Sequence, residues 1–332
     1  MLRPRNHSQN PQIICRRLLT VLALIGFFFL VACTEQTLET QSPTASQKIK
    51  ITPVDEKQPE NGSSPKTNGS IQAILVTTDL SIGKQRVGFT LISPMGNVLV
   101  PQVTVTSQVL SENQSINELT TAQFEPWPDN TRGLYVAEIN FPQHGEWRLN
   151  IEVPWPNGTT IHTHVKMNVK EVAVAPMVGS LGIKSITKTI DQTNDLTELT
   201  SGNLQDPDFY RLTLAQAIGN GRPTVVVFTS PAFCSHPFCG PQLEILRDLK
   251  IEFKRQVDFV HVDYYESPHL ILGNLNNATI SKPVLEWNLP DTQWTFVIDH
   301  KGTIAHRYQG FVNFRELNRS LIEILPTGTT SS

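Results

Sequence analysis

Apolar and polar positions alternate along most of the segment 71–171. In EWRLNIEV, apolar residues fall at every second position from Trp147 to Val153, and polar residues take the positions between them. A period of two is typical of a strand with one buried face. Five further stretches predict strands, with Gly, Pro, Asn and Asp clusters between them: IQAILVTT, QRVGFTLIS, NVLVPQVTVTSQVL, GLYVAEINF and IHTHVKMNV. The pattern predicts an antiparallel β-sandwich of about 100 residues.

A second pattern follows residues 172–204, a polar connector. Within 205–326 we predict four strands in the order TVVVFTS, VDFVHVDYY, WTFVID and TIAHRYQG, with a helix from Pro241 to about Lys254 after the first strand. Thr213 is placed to cap a short helix, Leu214–Ile218, before that strand. The last helix begins at Asn313 with Glu316 as a capping pair and buries Leu317, Leu321 and Ile324. This order predicts an α/β domain behind the sandwich.

The first residues have the pattern of a secretory signal. Arg3, Arg5, Arg16 and Arg17 precede an uninterrupted apolar run of fourteen residues, 18–31. That run is short for a helix that crosses about 30 Å of hydrocarbon. The motif Leu30-Val31-Ala32-Cys33 resembles a bacterial lipobox. The resemblance implies a signal peptide, 1–32, cleavage before Cys33, acylation of Cys33 by a lipid such as palmitate, and a bacterial, extracytoplasmic envelope location. An uncleaved amino-terminal anchor is the alternative.

Composition narrows the function classes. Loss of residues 1–32 removes four Arg and no acid, and this moves the formal net charge from −3 to −7. Without a basic patch, that charge argues against nucleic-acid partners. Residues 33–70 are rich in Gln, Thr, Ser and Pro, which predicts a flexible tether, and residues 327–332 predict a disordered tail. Of the four cysteines, only Cys234 and Cys239 are left to pair in an oxidising compartment.

Two longer resemblances suggest families. GLYVAEINFPQHGEWRLNIEV resembles the closing hairpin of YtkA-like or FixH-like domains of bacterial envelope proteins, which implies an all-β immunoglobulin-like sandwich over 71–171. Residues 205–325 resemble a thioredoxin-like domain through VVVFTSPAFC, CGPQLEIL, FVHVDYY and FVIDHKGTIAHRYQGF. That resemblance implies thiol–disulfide exchange with thiols or disulfides of envelope proteins, without a cofactor, through catalytic Cys239 and Cys234. Cys239 is the preferred nucleophile, since Pro241 places it at the positive end of a helix, where a thiolate is stabilised.

Three positions depart from the thioredoxin pattern. Cys234 and Cys239 are separated by four residues, whereas two separate the family's cysteines, so that matching CGP puts Gln242 at the second cysteine position. Gln293 stands where the family has a cis-proline, and Val227 where thioredoxin has a buried acid. These departures leave open which cysteine attacks.

Two alternatives to exchange remain. Soft thiolates suit Cu(I), and a resemblance to the Sco-type copper proteins implies a set of four ligands: Cys234, His236, Cys239 and His269. The other alternative is a structural Cys234–Cys239 disulfide in a non-catalytic domain. A further copper set, His162, His164 and Met167, is not favoured, because alternation along a strand points Met167 away from both histidines.

Overall fold

The computed structural model describes residues 70–110, 117–234 and 241–325, all of which belong to one compact unit, Ser64–Ser332. The predicted signal peptide, Cys33, the tether up to residue 69 and the carboxy-terminal tail lie outside the described residues. Within the described ranges, no helix is long and apolar enough to cross a membrane.

The amino-terminal half of the described chain is a curled mixed sheet, called the large sheet here. Its described strands are β1 Gln72–Leu75, β2 Leu80–Ser81, β3 Gly83–Ser93, β4 Gly96–Asn97, β5 Gln102–Val109, β6 Asn117–Pro126, β7 Gly133–Phe141, β8 Gly145–Pro154 and β9 Thr160–Lys170. They pair in the order β1-β3-β7-β6-β5-β8-β9-β2, with β4 on β3, and β2–β9 is the parallel pair. The Thr163 hydroxyl on β9 donates to the Ile71 carbonyl at 2.8 Å, beside β1, which curls the sheet on itself.

The prediction of β structure over 71–171 is confirmed, but the strands do not separate into two stacked sheets. β6, which the sequence pattern did not predict, pairs with both β5 and β7 and joins the strands into one sheet. The immunoglobulin-like arrangement therefore stays a prediction. The predicted alternation along β8 is confirmed, because every second residue from Trp147 to Val153 is buried. On β9, Met167 is buried while His162 and His164 are exposed on the opposite face, which excludes that trio as one metal site.

The carboxy-terminal half contains a four-stranded mixed sheet, the small sheet. Its strands are β10 Thr224–Thr229, β11 Asp258–Asp263, β12 Trp294–Ile298 and β13 Ile304–Gln309, in the order β11-β10-β12-β13. β10 and β11 are parallel, and the other pairs are antiparallel. Its described helices are α1 Leu214–Ala217, α2 Gln242–Phe253, α3 Lys282–Glu286 and α4 Phe314–Ile324, with 3-10 turns at Ile190–Gln192, Leu196–Glu198, Pro207–Tyr210, Pro268–Leu270 and Leu275–Asn277.

Helices cover both faces of the small sheet. Val225 and Val227 of β10 belong to a core with residues of α2 and α4, whereas Val226 and Phe228 belong to a core with residues of α1 and α3. The predicted caps are confirmed, since the Thr213 side chain accepts from the Gln216 N–H and the Asn313 side chain accepts from the Glu316 N–H. Pro241 is the residue before α2 rather than its first helical residue.

The two sheets share a continuous core. Trp127, in the turn after β6, lies 5.6 Å from the Phe311 ring, centroid to centroid, and Val76 and Leu134 belong to the same cluster. Gly310 lets Val76 of the large sheet pack closely after β13, because a Cβ at Gly310 would stand 2.5 Å from Val76 Cγ1. The φ of Gly310, 79°, is in the left-handed region that favours glycine. The connector is packed as well: the Gly182 N–H donates to the Gly302 carbonyl at 2.9 Å, along the turn between β12 and β13.

Candidate functional site

Cys234 follows β10 by five residues and is half-buried. It is disulfide-bonded, and its partner lies outside the described residues. Its Sγ atom lies 3.5 Å from Thr292 Oγ1, in the segment that leads into β12. Cys239 and His236 both fall within 235–240, outside the described residues, so their predicted roles stay predictions. The described geometry therefore places a disulfide sulfur where β10 leaves the sheet and ahead of α2.

A buried acid anchors the start of the cysteine loop. Asp263, at the end of β11, is 5% exposed and accepts from the Ser230 hydroxyl at 2.7 Å and the Ser201 N–H at 2.7 Å. The Ser201 hydroxyl in turn accepts from the Ala232 N–H at 3.2 Å. Several donors hold a carboxylate in one orientation, and its negative charge makes each of these hydrogen bonds shorter and stronger. The chain two residues before Cys234 is therefore tied to the small sheet and to the connector.

A second buried polar pair lies on the neighbouring strand. His261 Nε2 lies 3.1 Å from the Thr229 carbonyl, which can only accept, so Nε2 carries a proton. His261 Nδ1 then accepts from the Tyr210 hydroxyl at 2.7 Å. Burial lowers the pKa of His261, partly offset by the charge of Asp263, and burial raises the pKa of Tyr210. Both side chains are therefore held neutral near pH 7.

Val227 is the residue that the sequence resemblance matches to a buried acid of thioredoxin. Val227 is fully buried and stands in parallel register with His261. The titratable side chain beside this position is therefore a neutral histidine, with both ring nitrogens bonded within the protein. The sequence pattern identified His261 only as a strand residue, because strand periodicity does not reveal a partner 51 residues away.

Gln242 and Gln293, the other two residues that depart from the thioredoxin pattern, contact each other. Gln293 Nε2 donates to Gln242 Oε1 at 3.4 Å, and Gln242 also bonds both the N–H and the carbonyl of Val312 at 3.0 Å. Both glutamines are 1% exposed, and Gln293 has a φ of 75°. A glutamine in the left-handed region stores backbone strain, which surrounding contacts must hold in place. Among the described residues, none donates to Gln293 Oε1. Two buried amides therefore bond each other at the two positions that the sequence resemblance matches to a second cysteine and a cis-proline.

The predicted copper set is only partly within the described chain. His269 is exposed on the turn Pro268–Leu270. Within the described ranges, no group of three His, Cys, Asp or Glu side chains is arranged to hold a metal. Because His236 and Cys239 lie outside those ranges, the set stays a prediction.

A cavity of about 640 Å³ lies between β3 and β7 of the large sheet and β13 and α4. Ion pairs across it involve Arg86 with Glu316 at 2.6 Å and Arg307 with Asp79 at 2.8 Å. Its lining includes neither Cys234 nor Thr292. The cavity is therefore a charged space between the sheets, separate from the disulfide.

The chain has a structural likeness to solved proteins but no match to a known family. No protein-family model matches the chain, and no curated protein matches it. Among solved structures, the chain is similar to a "putative Thiol:disulfide interchange protein DsbE from Chlorobium tepidum", at 12% identity and a TM-score of 0.28. That match covers 35% of this chain and 86% of the other.

Proposed function

We propose that the chain is an extracytoplasmic thioredoxin-like protein that exchanges thiols and disulfides with envelope proteins through Cys234 and Cys239. The observation that carries the proposal is the disulfide on Cys234, half-buried, between β10 and α2 and in contact with the segment before β12. A cysteine at the junction of a central strand and a helix is partly accessible to an attacking sulfur while its surroundings stay fixed. The anchoring of residues 230–232 through Asp263 and Ser201 supplies that fixed geometry.

The chemistry is a balanced exchange. In the reduced protein, one thiolate, for which we propose Cys239, attacks a substrate disulfide; one substrate sulfur leaves and takes a proton, and a mixed disulfide remains. The Cys234 thiol then loses its proton and attacks the protein sulfur of that bond. The substrate leaves with two thiols, and the Cys234–Cys239 disulfide holds the oxidising equivalent. The reverse sequence transfers the disulfide to a substrate dithiol.

A redox titration tests the proposal. The chain is equilibrated in glutathione and dithiothreitol buffers, free thiols are alkylated, and the fraction of reduced Cys234 is read from its peptide by mass spectrometry. We expect a midpoint between about −120 and −270 mV and loss of exchange in Cys239→Ser. A midpoint below about −300 mV would assign the bond a purely structural role. Copper binding by the reduced chain with no exchange would favour the copper alternative.

Attachment to the membrane is tested separately. We propose that Cys33 carries the lipid, and we expect its peptide, purified from membranes, to have the added mass of acyl chains. Cys33→Ala should release the protein from the membrane fraction without changing the redox midpoint of Cys234. An unmodified Cys33 in a membrane-bound protein would contradict lipid attachment and favour the uncleaved anchor.

A further inference from the structure

The turn between β1 and β2 docks on the end of β13. Gln309 is 4% exposed, and its Oε1 accepts from the Thr78 N–H at 2.8 Å and from the Asp79 N–H at 2.9 Å. Its Nε2 donates to the Thr78 hydroxyl at 2.8 Å and to Asp291 Oδ2. One buried amide therefore joins a turn of the large sheet to the segment that precedes β12.

A second set of contacts runs in parallel. Asp79 accepts from Arg307 of β13 at 2.8 Å, and the Arg307 guanidinium lies over the Trp294 ring at 5.0 Å. The Trp294 Nε1–H donates to Asp291 Oδ1 at 2.8 Å, so both oxygens of Asp291 are held. Thr292, the next residue, contacts Cys234 Sγ through its hydroxyl. Both sets of contacts thus lead from the large sheet to the residue beside the disulfide.

The local backbone needs such support. Gln293 follows Thr292 with a φ of 75°, a conformation that persists only where neighbouring contacts hold it. The Gly310 N–H, adjacent to Gln309, donates to the Gln293 carbonyl at 2.9 Å. If Gln309 lost its bonds, Asp291 Oδ2 would lose the donor that Gln309 supplies, while the strained residue remained.

We propose that Gln309 is a positioning residue through which the large sheet holds segment 291–293 against Cys234 and slows attack on its disulfide. The inference concerns the site of the proposed function, but the rate at which the disulfide is reduced exists whether or not the protein is an exchange catalyst. The large sheet would thereby affect the rate at which the disulfide is reduced.

The test compares reduction rates of the oxidised full chain. Dithiothreitol attacks the disulfide of Cys234, and closure of its own ring leaves two protein thiols; alkylation of the Cys234 peptide is followed against time. Gln309→Met keeps the length of the side chain but removes its donor and acceptor. We expect reduction to be faster by about 2- to 30-fold, the range for residues that couple two sites. Arg315→Gln is the matched control: it removes an ion pair to Glu125 across the same interface, at 2.7 Å, and should change the rate less than about 2-fold.

Thr292→Val locates the effect. This variant keeps the shape of Thr292 but removes its hydroxyl, so that Gln309→Met added to it should accelerate reduction less than it does alone. An unchanged rate in folded Gln309→Met, or an equal acceleration in Arg315→Gln, would overturn the inference. If Gln309→Met does not fold, Asp291→Asn weakens the same contact, and an unchanged rate there overturns it equally.

The two proposals fail separately. A wild-type midpoint below about −300 mV removes the proposed exchange function, yet a faster reduction of Gln309→Met would still support the positioning role. A wild-type midpoint in the range of oxidoreductases with equal rates in wild type and Gln309→Met removes only the positioning role.

Discussion

The two sheets of this protein bury their strands in different ways. Strands of the large sheet alternate, as in β8, where buried and more exposed positions follow each other. Three strands of the small sheet, β10, β11 and β12, are buried at every position, because helices cover both faces. A strand with one wet face accommodates polar side chains without partners, whereas a strand with two dry faces requires a partner for every polar group.

The same difference explains where the protein places its buried polar networks. His261 and Asp263 belong to β11, and each bonds residues of other elements. On β9 of the large sheet, His162 and His164 are exposed to solvent instead. Among the described residues, the small sheet therefore supplies the buried acid that anchors residues 230–232, and the proposed influence of the large sheet on Cys234 runs through the contacts of Thr78 and Asp79 with β13.

The largest effect on stability is expected for an aspartate introduced on a strand of the small sheet, compared with an aspartate introduced on a strand of the large sheet. Val226 of β10 is fully buried between Val260 and Phe296, so Val226→Asp would bury an unpaired charge. We expect a loss of about 3 to 5 kcal/mol in the free energy of unfolding. His164→Asp, exposed on β9 opposite Asn150, should change it by about 0.5 kcal/mol or less. Urea unfolding of both variants measures the contrast, and similar losses would show that the two sheets are not covered differently.

Local pattern predicted the strands with regular alternation and the capped helices, because those features depend on residues a few positions apart. β6 was missed because its pattern is weak: Leu119 is 70% exposed and Ala122 is its one fully buried side chain among the described positions. The contact of Gln309 with Thr78 spans 231 positions, and no local period indicates it. For the site, sequence identified Cys234, while Asp263, Gln309 and the Gln242–Gln293 pair became apparent only from their neighbours in space.

A smaller effect is expected where the two sheets join at Asp79. Its burial acts to raise its pKa, but the N–H groups of Val174 and Ala175 and the Arg307 guanidinium outweigh burial, and the pKa is lowered. Since the folded pKa lies below the unfolded value near 3.9, this stabilisation is present above about pH 4 and is lost as pH falls through the folded pKa. Asp79→Asn should cost about 2 to 3 kcal/mol at pH 7.

Urea unfolding of wild type and Asp79→Asn at pH 7 and at pH 3 checks this sign. The difference between the two proteins should shrink at pH 3, where the Asp79 carboxylate of the unfolded wild-type chain binds a proton. A matched variant is Asp129→Asn, which removes an exposed acid that pairs with Arg132 within one turn of the large sheet and should change the free energy by about 0.5 kcal/mol or less. A constant difference between wild type and Asp79→Asn would show that the charge of Asp79 is not what joins the sheets.

The smallest effect is expected within the small sheet, at His261. Burial lowers its pKa, so near pH 6 the unfolded chain binds a proton that the folded protein excludes. Stability is therefore complete above the unfolded value of about 6.5 and declines as pH falls below it toward the folded pKa. Tyr210→Phe removes the hydroxyl that donates to Nδ1 and leaves a buried acceptor without its donor, at a cost of about 1 to 2 kcal/mol.

Nitrogen-detected NMR gives a direct measurement that stability alone does not supply. In wild type at pH 6, His261 should be a neutral ring with its proton on Nε2, since the Thr229 carbonyl can accept only from a protonated nitrogen. Tyr210→Phe should shift the Nδ1 resonance while leaving the Nε2 proton in place. A charged ring at pH 6, or a proton on Nδ1, would contradict the bonding described here. Because β10 and β11 are parallel and His261 stands beside Val227, a charged ring would place a second buried charge next to the strand that leads to Cys234.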